Sequence, residues 1–165
     1  MESQSYDYIF QEFKPYIQGS ISTKDHLPEI PINVIQNLIN DSISFLKITS
    51  NVIYIPAPCI IVGDLHGQIL DLFRIIRKFG LPNTTKYLFL GDIVDRGDFS
   101  IETATFIFAL RVLYPENVSI LRGNHEFNDM CTHYGFKKEI LNYHDPNKSI
   151  QVATESKPKI ADEID

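Results

Sequence analysis

The chain has 165 residues, of which 44% are hydrophobic and 22% charged; this composition fits one soluble globular domain and excludes a disordered, collagen-like or multi-pass membrane chain. Fifteen basic against 21 acidic residues give a net charge of −6, leaving no Lys/Arg surplus to line a nucleic-acid groove. Two cysteines, no basic-then-apolar start and no apolar run of bilayer length imply a reduced compartment, cytoplasmic or nuclear, and no membrane.

Residues 1–30 mix aromatic and polar side chains and end in a proline-punctuated stretch, which reads as an irregular lead-in. Pro31 suits a first helical turn, and Val34, Ile35, Leu38, Ile39 and Leu46 then recur on one face until about Lys47. Asn51 to Ala57 reads as a short edge strand. Cys59 to Val62 is short, apolar and largely β-branched, as a central parallel strand covered on both faces would be. Ile69 to Phe79 alternates apolar and charged residues at helical spacing and stops at Gly80 and Pro82. Tyr87 to Leu90 predicts a second strand, residues 101–113 a nearly all-apolar helix, and Val118 to Leu121 a third strand. Residues 127–143 predict one further helix. The last stretch, 144–165, is polar and aperiodic and reads as a flexible tail.

The resulting fold class is α/β, with a β-α-β-α-β core of three parallel strands. In right-handed units of this kind, polar groups just past the strand carboxyl ends converge on one rim. Five of the eight glycines fall there, in Gly63-Asp64-Leu65-His66-Gly67, Gly91-Asp92-Ile93-Val94-Asp95-Arg96-Gly97 and Gly123-Asn124-His125-Glu126. Asp64, His66, Asp92 and Asn124 offer carboxylate, imidazole and amide oxygen, a donor set suited to Mn, Fe or Zn. Carboxylates brought within a few ångströms of each other repel, and a cation is the economical reason to gather them. Taken singly, Gly-Asp is an ordinary turn dipeptide and Asp95-Arg96 an ordinary surface pair. Their threefold repetition, each time after an apolar strand, is what points to a site.

GDLHG, GDIVDRG and GNHE, in that order, resemble the signature of the Ser/Thr phosphoprotein phosphatases among the calcineurin-like metallophosphoesterases. The resemblance extends through YLFLGDIVDRG, YPENVSILRGNHE and Tyr134-Gly135-Phe136, over roughly residues 30–143. It implies the N-terminal half of an α/β/β/α sandwich, with residues 31–143 as the phosphatase part. It further implies two divalent or transition metal ions. Asp64, His66 and Asp92 would hold the first, Asp92 would bridge, and Asn124 would bind the second. A metal-activated hydroxide would attack the phosphomonoester, Arg96 would clamp the phosphate together with Asn124 and His125, His125 would be the general acid, and Asp95 would hold its ring. Glu126 is assigned support only. Ile93 and Phe127 replace the Tyr and Cys usual in the family, and both are expected to pack. Two further histidines and an arginine of the family pattern have no counterpart before Asp165. The resemblance therefore implies a truncated chain with an incomplete second metal site. His133 and His144 are read as a solvated or partly packed residue and a helix-end residue rather than as replacement ligands. A phosphoprotein substrate and a regulatory subunit are the implied partners. A non-catalytic binding remnant and a nucleotide-directed phosphoesterase are the alternatives.

Overall fold

A computed structural model describes residues 3–20 and 27–143; the tail expected over 144–165, with His144, lies outside them. The elements are α1 (Ser3–Gln18), α2 (Ile32–Lys47), β1 (Ile60–Val62), α3 (Ile69–Phe79), β2 (Tyr87–Phe89), α4 (Ser100–Leu113), β3 (Val118–Ile120), a 3-10 turn (Asn124–Glu126), α5 (Asn128–Tyr134) and α6 (Phe136–Tyr143).

The β-α-β-α-β core is as the sequence predicts: three parallel strands in the order β1-β2-β3. Register aligns Ile60, Tyr87 and Val118 in one row and Val62, Phe89 and Ile120 in another; partners in a parallel ladder share a face, and these rows meet the helices. The intervening row, Ile61, Leu88 and Ser119, points the other way, and Ile61 is 64% exposed. The expected two-sided cover is thus one-sided among the described residues, although the strands carry the apolar run of a sheet buried on both faces.

Among the described residues of 1–30, the expected irregular lead-in is replaced by a helix over Ser3–Gln18. Tyr6, Ile9, Phe10, Phe13, Tyr16 and Ile17 lie on its buried side. Those positions do recur at three- and four-residue spacing. Polar residues interleaved among aromatics, and Pro15 inside the last turn, disguise the period. Phe13 packs between Phe73 of α3 and Phe106 of α4, at 5.8 and 5.1 Å between ring centroids. Arg77 of α3 donates to the carbonyls of Ile17 (2.6 Å) and Tyr16 (2.8 Å), satisfying acceptors that the end of α1 would leave open.

Two further expectations are corrected. Asn51 to Ala57 forms no strand: Tyr54 is 94% exposed, and nothing in the segment pairs with β1. The helix expected over 127–143 is two, because Gly135, at φ 120°, takes a conformation in which a helix cannot continue. α2 has the expected bounds but a narrower buried face than its sequence suggests: Ile35 and Leu38 are buried, while Ile39 and Leu46 are exposed.

Candidate functional site

Each strand of the core delivers one glycine-flanked loop to the same rim, and backbone hydrogen bonds fasten the loops together. The amides of Leu65 and His66 donate to the Asp92 carbonyl (3.0 and 2.9 Å), and that of Gly67 donates to Ile93 (2.7 Å), joining the first loop to the second. The second and third meet with no room for side chains. A Cβ on Gly91 would lie 2.1 Å from the Gly123 nitrogen, and one on Gly123 would lie 2.2 Å from Asp92 Oδ1. Glu126 completes the fastening: its carboxylate accepts from the amides of Asp92 (2.8 Å), Ile93 (2.7 Å) and Gly123 (2.9 Å). Three backbone donors on one carboxylate make strong charge-assisted bonds. Glu126 is thus the staple between the second and third loops.

Within this frame Asp64, His66 and Asp92 each present a ligand atom within 4.8 Å of the others. His66 Nδ1 lies 2.9 Å from the Val94 carbonyl. A carbonyl only accepts, so Nδ1 carries the proton and Nε2 keeps its lone pair; this is the arrangement that orients a ligating imidazole. Nε2 lies 3.8 Å from Asp64 Oδ2, and Asp64 is exposed. Imidazole and carboxylates of this disposition fit a divalent ion. Asn124 opens the adjacent 3-10 turn and is exposed at the same rim. The next amide, His125 N, donates to Asp92 Oδ1 at 2.8 Å, which fixes Asn124 relative to the cluster.

The second group is buried. Asp95 and His125 are each 1% exposed, and Asp95 Oδ2 accepts from His125 Nδ1 at 2.9 Å. Asp95 Oδ1 accepts from the Phe136 amide at 2.8 Å, so both carboxylate oxygens are bonded. Arg96 Nη2 lies 3.1 Å from His125 Nε2; guanidinium only donates, which agrees with the proton residing on Nδ1. The His125 ring stands edge-on to His66 at 4.7 Å, so the two groups adjoin.

The seven residues singled out in the sequence are therefore assembled on one rim. Sequence reasoning missed the Val94 carbonyl, the Phe136 amide and the Tyr134 ring, which packs 5.0 Å from His125 and 5.9 Å from the Arg96 guanidinium. The first two are backbone groups and leave no sequence signal. Ile93 packs as expected, at 3% exposure, but Phe127 does not. It is half exposed and lies under the Arg122 guanidinium, 4.0 Å from its ring centroid. His133 is exposed and bonded to its own helix at Asp129. Cys59 and Cys131 are free thiols.

A sequence profile of the calcineurin-like phosphoesterases matches residues 57–159. The chain belongs to that family. Ser/Thr phosphatases are among its curated relatives. The PP2A-like phosphatase PPG1 of Candida albicans is 45% identical over 120 residues, 72% of this chain and 29% of the relative. The catalytic subunit of serine/threonine-protein phosphatase 6 from Caenorhabditis elegans is 43% identical over 97 residues, 59% of this chain and 29% of the relative. A solved Saccharomyces cerevisiae Ser/Thr phosphatase, described as similar to human phosphatase PP5, superimposes with a TM-score of 0.69 at 29% identity, over 87% of this chain and 47% of that one. The chain spans 29% of the length of each of those two curated relatives. The phosphoesterase match runs past Tyr143, beyond the stretch over which the motifs alone show resemblance.

Proposed function

We propose that the rim is the metal and phosphate site of a Ser/Thr phosphoprotein phosphatase. The observation that carries this reading is the pair of adjoining groups: a ligand cluster at Asp64, His66 and Asp92, and a buried Asp95–His125 couple with Arg96 on its outer nitrogen. Asp64, His66 and Asp92 would hold one divalent ion, and Asp92 with Asn124 would contribute to a second. When bound, the ions would supply Lewis-acid activation of water and charge for the phosphate oxygens.

The chain's own residues supply the rest. Arg96 is exposed and already donates to a lone pair, so a phosphate monoester offers it better acceptors: two oxygens in the fork geometry of guanidinium. Turning to those oxygens releases His125 Nε2, which can then take up a proton from solvent and pass it to the leaving Ser or Thr alkoxide. Asp95 keeps the ring oriented throughout, since its second oxygen is anchored on Phe136. A regulatory subunit would be the macromolecular partner, in keeping with the relative that is described as a catalytic subunit.

The test is calorimetric titration with Mn2+ combined with hydrolysis of a phosphopeptide, an aryl phosphate and a nucleotide. Asp92→Ala should abolish Mn2+ binding, whereas His125→Ala should retain it and lose turnover by at least ~100-fold. Mn2+ binding with no turnover of any substrate would replace the catalytic reading by that of a binding protein, and turnover of the nucleotide alone would assign a different substrate class.

A further inference from the structure

The Asp95–His125 couple is anchored on the first amide of α6, yet α6 itself is weakly seated. It has eight residues, none of them buried, and a helix so short is not stable on its own. Its position rests on partly buried apolar contacts from Phe136 and Tyr143 and on three polar ties. Phe136 N donates to Asp95, the Tyr143 hydroxyl donates to the Ile30 carbonyl (2.9 Å), and Glu139 Oε1 accepts from Ile101 N (2.8 Å).

The last of these solves a problem for α4. Its N-cap residue is Phe99, which makes no side-chain capping bond. The first-turn amide of Ile101 is satisfied by a carboxylate reaching over from another helix, where an anion is also favoured by the helix dipole. We propose that Glu139 is a positioning residue for the Asp95–His125 couple: by capping α4 from α6, it fixes the amide of Phe136 that orients Asp95.

The cap has a counter-charge problem that makes it sensitive to protonation. Glu102, in the same first turn of α4, has a buried Oε2 without a hydrogen-bond partner, and burial, with repulsion from Glu139, holds its pKa up at about 7. Burial likewise raises Glu139, with Asp98 adding repulsion, while the Ile101 amide and Ser100 work the other way. The remaining ionisable groups facing this corner are Tyr143, raised mainly by burial and then by Glu102, and Glu29 ahead of α2. With Glu102 protonated, Glu139 caps α4 against the repulsion of Asp98 alone. As Glu102 ionises, two carboxylates share one helix end, and the cap on which α6 depends is weakened.

The proposal rests on the reading of Asp95 and His125 as the acid couple, but its test needs neither metal nor substrate, so the two can fail separately. Amide hydrogen exchange, expressed as protection factors, would be measured from pH 6 to 8 on the whole chain. Glu139→Ala should lower protection at Phe136 at least tenfold while leaving amides inside α3 unchanged. Glu139→Gln, which keeps an acceptor oxygen and removes the repulsion, should retain protection at Phe136 and abolish its decline with pH. Equal loss at Phe136 and in α3 would reveal a general stability role and overturn the proposal, as would unchanged protection at Phe136. Should Glu139→Ala fail to fold, Glu102→Gln decides: the decline of Phe136 protection with pH should vanish, and a decline equal to that of the unaltered chain would overturn the proposal.

Discussion

His66, Asp92, Asp95 and Arg96 all hold positive φ, between 43° and 71°, a backbone region that side chains with a Cβ enter at a cost of about 1 kcal/mol or more each. Four such residues within two loops are tolerated because the loops are over-determined by hydrogen bonds, among them the three amide bonds accepted by Glu126. The geometry around His125 follows from this rigidity and can be probed through tautomers. In Asp95→Asn, the side-chain oxygen would stay on the Phe136 amide and the NH2 group would face Nδ1, forcing the imidazole proton onto Nε2, where Arg96 also donates. Turnover should fall at least ~100-fold, because the carboxylate that balances the charge of the proton-donating ring is gone and the Nε2 proton faces another donor, Arg96. Mn2+ affinity should be nearly unchanged, since the ligand cluster is untouched. Steady-state kinetics beside calorimetry would check this, and equal losses in both would mean that the loop, rather than the tautomer, had been disturbed.

At the scale of elements, α1 decides how the helical layer is built. Phe13 is fully buried between α3 and α4, and Phe10 and Tyr16 extend the aromatic contact to Phe106, Tyr114 and Phe73. Phe13→Ala should lower unfolding free energy by about 3–5 kcal/mol, as loss of a buried ring and the resulting cavity generally do, read as a shifted urea midpoint in a single transition. A separate early transition would show α1 to be an appendage. The same helix marks where sequence reading fails. α3 is legible to the residue because charged and apolar positions separate cleanly and Gly80 ends it. α1 carries an equally regular apolar face, but its aromatics lie among polar residues and Pro15 imitates a break. The site was legible because its chemistry sits in side chains at loop positions fixed by the strands. The amides that hold Asp95 and Asp92 in place depend on three-dimensional approach and were not, whereas the break at Gly135 is a local signal, a glycine at positive φ, outweighed in the sequence by the apolar and polar residues on either side.

For the whole molecule, the burial of two carboxyl groups gives the corner between α4 and α6 a global consequence. Glu102 has a folded pKa of about 7 against an ordinary value of 4.5, with burial the leading cause. A raised carboxyl pKa means that the folded state binds the proton more tightly than the unfolded one. Stability from this group is therefore fully present below about pH 4.5 and is lost as pH rises through 7. Glu139 shifts in the same direction and adds to the slope, whereas the raised tyrosines, Tyr87, Tyr114 and Tyr143, act only in strongly alkaline solution. The unfolding free energy should accordingly fall by up to about 3 kcal/mol between pH 5 and 8 from Glu102 alone, opposite in sign to carboxylates held by ion pairs. Glu102→Gln should flatten that decline, because the amide is neutral at both ends of the range. Urea unfolding of the two proteins at pH 5 and 8 measures it. A slope that survives the substitution unchanged would place the sensitivity elsewhere and leave the capped corner between α4 and α6 without its predicted influence on the fold.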